Sequence, residues 1–176
     1  GLNSCFSLKG RPSSMPSAPT MISSVTSGSM MFAWIGSQWT AVDFDDSRWK
    51  SGRNGAGYEK DKGYESLISE PFDFLAEMHQ KNGSLLLRFP FELDDPRDLD
   101  GTGDLLLRMK YDDGFVAYLN GIRVANANAA LNPAWNAGAS GQHDDASAMT
   151  WVSFDVGKHI NRLKTGNNIL AIHNGL

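Results

Sequence analysis

Cysteine is almost missing from this chain: Cys5 is alone among 176 residues. A single thiol forms no internal disulfide, so the fold has to stand on its hydrophobic core. Positive charge is scarce as well. The 16 Lys and Arg stand against 20 Asp and Glu, a net charge of -4, and the basic residues form no run or stripe. That balance argues against a nucleic-acid binder, whose affinity comes from neutralising phosphates with a basic surface. It argues equally against a polybasic segment lying on a membrane. No apolar stretch approaches the roughly 18 residues of a spanning helix, so membrane insertion is not expected. The start "GLNSCFSLKG" has no basic region followed by an apolar run, and no signal peptide is visible. That start and the abrupt end in "NNILAIHNGL" read as cuts in a longer protein.

The usual catalytic signatures are missing too. His79, His143, His159 and His173 do not fall at zinc-ligand spacing. There is no G-x-S-x-G elbow for a serine nucleophile. Gly55-Ala56-Gly57 is not followed by the Lys-Ser/Thr of a phosphate loop.

What is present is a globular composition, 41% hydrophobic and 20% charged, in a chain long enough for one core of ordinary size. Residues 1–28, with "RPSSMPSAPTMISSVTSGS", read as a linker or loosely docked lead-in, because they offer little apolar surface against the entropy of ordering. Met21, Ile22 and Val25 are the one place there for an edge strand. Residues 29–176 read as the domain.

Within it, alternation dominates. "SLLLRFPF" puts Leu85, Leu87, Phe89 and Phe91 on one face and Leu86 and Arg88 on the other, a half-buried strand. Pro90 donates no hydrogen bond, which places this strand at a sheet edge or ends it. "DLLLRMK" repeats the pattern, with Leu105, Leu107 and Met109 inward and Arg108 and Lys110 outward. In "YDDGFVAYLNGIRVANA", Phe115, Ala117 and Leu119 alternate with Val116 and Tyr118. Asn120-Gly121 then supplies the two residues that tolerate positive φ in a type I′ hairpin turn. "TWVSFDV" and "NNILAIHN" are two more strands. Helical signals are short: Phe72 to Gln80, one turn in "FDDSRW" capped by Asp45 or Asp46, and one in "DVGKHINRLK". Many short strands separated by turn residues indicate an all-β sandwich, and a jelly roll is the form that limits exposed edges.

Four stretches occur in a telling order: "FDDSRWKSGRNGAGYE", "LLLRFPFELDDP", "LLLRMKYDDGFVAYLNGIRVANANA" and "GKHINRLKTGNNILAIHN". Across about residues 37 to 174 the chain resembles the galactose-binding-like jelly-roll domains of bacterial exported multidomain proteins, the kind found beside lamin-tail and spore-coat-H-like modules. The "DDG…YLNG" hairpin and the "GNNILAI" strand are also similar to sugar-binding domains of glycoside hydrolases. The resemblance implies a β-sandwich with one or two short helices, a secreted or cell-surface setting and an accessory role without catalysis. It implies no particular ligand, since fold does not give function.

Candidate residues follow from this. "NPAWNAGASGQHDDASAMTW" is a long polar loop, where a rigid sandwich tends to carry binding. Trp135 can stack on a sugar ring while Asn132, Asn136, His143 and Asp144 bond hydroxyls; alternatively, Trp135 folds under the loop as a satellite core. Tyr58 sits in a second glycine-rich loop, as ligand contact or packed residue. Asp112 with Asp113, and Asp43 with Asp45 and Asp46, either cap turns or hold a structural calcium of the kind common in the resembled superfamily. The expected partners are a carbohydrate or a neighbouring domain of the same polypeptide. A rival to sugar binding is a structural domain that docks on that neighbour and takes no small ligand. An enzyme would require Asp112, His143 or Asp144 to converge in one pocket with shifted pKa values.

Overall fold

The computed structural model describes residues 5–9, 36–53, 55–60, 63, 65–70, 72–96 and 105–175. Seven strands run in chain order: β1 Cys5–Lys9, β2 Ser84–Leu93, β3 Leu106–Lys110, β4 Gly114–Leu119, β5 Ile122–Ala127, β6 Val152–Asp155 and β7 Gly166–Gly175. They form a three-stranded sheet, β1-β3-β6, and a four-stranded sheet, β2-β7-β4-β5, with every named pair antiparallel. The pairs β4–β5, β3–β6 and β2–β7 nest inside one another as the chain passes between sheets. This is the winding of a jelly roll. The fold is the all-β sandwich that the alternation indicates. Strand β1 comes from the lead-in over 1–28; Met21, Ile22 and Val25 lie outside the described residues.

The core lies between the sheets. Leu85, Leu87 and Phe89 of β2, Leu107 and Met109 of β3, Phe115, Ala117 and Leu119 of β4, and Leu170 and Ile172 of β7 belong to one buried cluster. Burying side chains of this size contributes about 1.5–3 kcal/mol each, which is how the fold stands without a disulfide. The hairpin turns where expected, with Asn120 at φ +49° and Gly121 at φ +86°. Gly114 is needed for another reason: a β-carbon there would run into the Asn128 carbonyl. Strand β2 lies at an edge, with Pro90 exposed.

Two expectations need correction. The helix anticipated over Phe72 to Gln80 shrinks to α1, Leu75–Met78. Residues 72–74 instead form a parallel bridge at Asp73, in which Gly57 N–H donates to Phe72 O (3.1 Å) and Phe74 N–H donates to Gly57 O (2.8 Å). That bridge sends Phe72 and Phe74 into the core. Strand β2 is also not half-buried. Leu86 and Arg88, on the face away from the core, are 5% and 3% exposed.

The reason is residues 36–49, which lie across the outer face of the four-stranded sheet. Trp39 packs with Leu86 and Ala171, flanked by Phe44, Trp49 and Tyr118. Arg88 clamps this cover. Its Nε donates to Asp46 Oδ2 (2.7 Å), Nη1 donates to Ala41 O (2.8 Å) and to Trp39 O, and Nη2 reaches Phe44 O (3.5 Å). A buried guanidinium needs such a set of acceptors, since an unpaired one would lose its hydration without return. The expected "FDDSRW" turn is part of the cover: Ser47 N–H donates to Asp45 Oδ1 (3.0 Å), and Trp49 packs edge-on against Phe44 at 5.5 Å.

Candidate functional site

A groove of about 390 Å³ lies between residues 36–40 of this cover and the long loop after β5. Leu86, Tyr118 and His173 line it from the sheet, Trp39 from the cover, and Asn132 and Trp135 from the loop. Trp39 is buried, its ring edge-on to Tyr118 at 5.9 Å. Trp135 is 44% exposed, so it does not fold under the loop as a satellite core.

The loop is tied down at the groove. Ser84 Oγ donates to Trp135 O (2.6 Å), Gly83 N–H donates to Asn136 Oδ1 (2.9 Å), and Ala137 N–H closes a turn on Ala134 O (3.0 Å). His173 Nε2 lies 3.2 Å from Ala134 O. Burial pushes the His173 imidazole below its ordinary value, against the opposing pull of the Ala134 and Trp135 backbone. Its Nδ1 has no hydrogen-bond partner among the described residues. A loop held this way presents its indole with little ordering entropy left to lose on binding.

Of the residues expected to touch a ligand, the groove therefore gathers Asn132 and Trp135, while the side chain of Asn136 anchors the loop. The others go elsewhere. Asp144 caps a short helix, α2, Asp145–Ala148, by accepting from Ser147 N–H (3.2 Å). His143 stacks on Tyr111 with ring centroids 4.3 Å apart, and its Nδ1 lies 2.8 Å from Tyr111 O. His143 N–H donates to Asp113 Oδ1 (3.0 Å), and Asp113 N–H to Asp112 Oδ1 (2.9 Å). Tyr58 packs on the core, edge-on to His79 at 5.9 Å. Burial, and then the charges of Asp112 and Asp113, raise its phenol above the ordinary value. Burial likewise raises the Asp112 carboxyl. Tyr58, Asp112, Asp113 and His143 thus form a second neighbourhood, apart from the groove.

Four of the five carboxylates considered for calcium already serve the backbone or an ion pair. Asp112 and Asp113 each accept from a main-chain N–H, Asp45 caps its turn, Asp46 meets Arg88, and Asp43 is exposed. Among the described residues no three His, Cys, Asp or Glu side chains come together as a metal-ligating group. No described helix is long and apolar enough to cross a membrane.

No family model and no curated protein matches the chain. Solved structures do resemble it. One is a calcium-binding mutant of Bacteroides uniformis beta-glucuronidase 2, at 16% identity over 96% of this chain and 14% of that one, with a TM-score of 0.47. Another is a beta-glucuronidase from glycoside hydrolase family 2, at 16% identity over 88% of this chain and 13% of that one, TM-score 0.46. A third is an uncultured Clostridium sp. beta-glucuronidase, at 11% identity over 98% of this chain and 22% of that one, TM-score 0.47. The chain spans about a fifth or less of the proteins it resembles.

Sequence reasoning missed Trp39, Tyr118 and His173 as groove residues. The signal for two of them was present: alternation puts Tyr118 and His173 on the strand faces turned away from the core. Aromatic and imidazole groups are uncommon on a face left to water.

Proposed function

We propose that the chain is a non-catalytic carbohydrate-binding accessory domain of a larger exported protein, and that the sugar lies in the groove beside Trp135. The observation that carries this reading is a large exposed indole, fixed by loop hydrogen bonds, over a groove of about 390 Å³ floored by two further aromatic rings. An indole face takes the C–H face of a pyranose, and the exposed Asn132 amide offers a donor and an acceptor to its hydroxyls. Affinity for one sugar is weak, because a hydrated polyol exchanges about as many hydrogen bonds as it gains. The exported setting follows the family resemblance.

A second reading has one observation in its favour. Leu131 at 53% and Trp135 at 44% exposure leave two large apolar side chains on one loop. A neighbouring domain packing there would use the same loop as a docking surface.

A glycan array, run in calcium and again in chelator, tests both. We expect binding that Trp135→Ala abolishes while folding stability stays within about 0.5 kcal/mol, the range of an exposed site. A further loss in chelator would add an ordering calcium. Absence of binding from a folded sample would leave the docking reading.

A further inference from the structure

We propose that the outer face of the three-stranded sheet is a second ligand site, for a polysaccharide that carries carboxylates, with Trp151 as platform and Arg108 and Lys110 as the anion partners. Trp151 is 42% exposed, and Met149, two residues before it in the chain, 37%. Arg108 pairs with Ser153 and Met109 with Val152 across β3–β6, which brings Trp151 alongside Lys110. The Arg108 guanidinium carbon is 5.3 Å from the Trp151 ring centroid, and Lys110 Nζ is 5.5 Å from it.

Neither cation has an ion pair among the described residues; the pairs there are Lys50–Glu77 and Arg88–Asp46. Two cations without an ion pair among the described residues lie against an exposed indole and form a local positive spot on this face, where the β6 carboxylate, Asp155, is engaged in accepting from Gly157 N–H (2.8 Å). Such a spot selects for an anion. The planar Arg fork matches a carboxylate, and the indole matches the C–H face of the sugar that bears it. A uronate-containing chain combines both, with one charge per ring. A single nucleic-acid strand also stacks and carries charge, but it draws its affinity from many phosphate contacts, and two cations supply few. This site lies on the opposite sheet from the groove and does not depend on what the groove binds.

Isothermal titration of the whole chain with trigalacturonate, with neutral galactotriose, with a sulfated trisaccharide and with a short oligothymidylate tests the assignment. Trigalacturonate should bind best, and its binding should weaken at about 1 M salt, where the Debye length falls to about 3 Å. Arg108→Gln with Lys110→Gln should weaken it by about tenfold or more, the scale of a lost charge-assisted contact. Trp151→Leu, which keeps apolar cover but removes the flat ring, should weaken it to a similar degree, and Trp135→Ala should leave it unchanged. Several results would overturn the proposal: no binding by the folded chain, preference for the neutral, sulfated or nucleotide probe, or binding untouched by the Arg108, Lys110 and Trp151 changes. Binding lost only in Trp135→Ala would belong to the groove and would overturn it as well.

Discussion

Leu85-Leu86-Leu87-Arg88 in β2 and Leu105-Leu106-Leu107-Arg108, which leads into β3, are the same four residues in the same order, on opposite sheets. Their core faces behave alike, with Leu85, Leu87, Leu105 and Leu107 all buried. Their outer faces diverge. Leu86 and Arg88 are buried under the Trp39 cover, while Leu106 and Arg108 are half-buried and Arg108 leans on an exposed indole. Identical local sequence thus yields a buried structural clamp in one sheet and a half-buried cationic side chain against an exposed indole in the other. The difference comes from what packs on each face.

The sharpest way to break this comparison is to remove both arginines in turn. Arg88→Ala strips the guanidinium from Asp46 and from the carbonyls of Trp39, Ala41 and Phe44. We expect a loss of about 3 kcal/mol, moderated by the partial exposure of Asp46. Arg108→Ala should stay within about 0.5 kcal/mol. Urea unfolding at unchanged m-value measures both. Equal losses would mean that the cover over β2 is not held by Arg88.

The leucines give the next largest contrast. Leu86→Ala opens space beneath Trp39 and should cost about 2–3 kcal/mol, whereas Leu106→Ala should cost less than about 1 kcal/mol. Near-ultraviolet circular dichroism separates the two further, since the former loosens the packing of Trp39.

Acid sensitivity is the smallest effect and belongs to the covered face. Burial lowers the folded-state pKa of His173, so between its folded and unfolded values the unfolded chain binds the extra proton. The stability this confers is present above the unfolded histidine value of about 6.5 and is lost as pH falls below it. His159 is shifted in the same direction by burial and by Lys158 and Arg162. The readout is therefore a difference: stability should fall less between neutral and mildly acid pH in His173→Gln than in the parent chain. Parallel curves would show that the ring is not kept neutral by its burial.

Much of the fold was legible because period two is a local property. Alternation alone grouped Leu85 with Leu87 and turned Leu107 and Met109 inward, and Asn120-Gly121 marked its turn by backbone preference. The candidate site was legible only in part. Trp135 and Asn132 stood out as polar-loop residues, but His143, Asp144 and Tyr58 share that character and are spent on a ring stack, a helix cap and core packing. Asp45 and Asp112 likewise act on their own turns, as short acidic side chains beside free N–H groups do.

The sequence by itself determined strands β2 to β7, the two-face alternation along them, the hairpin and the absence of disulfide support, since each depends on neighbours within a few residues. The tertiary structure alone decided that the outer face of one sheet is covered and that a groove opens between the cover and the long loop after β5. Arg88 finds the carbonyl of Trp39 at a separation of 49 residues, and the groove joins Trp39 to a loop still farther along the chain. Contacts at that range are selected by shape and by the need to satisfy a buried charge, and neither leaves a period in the sequence.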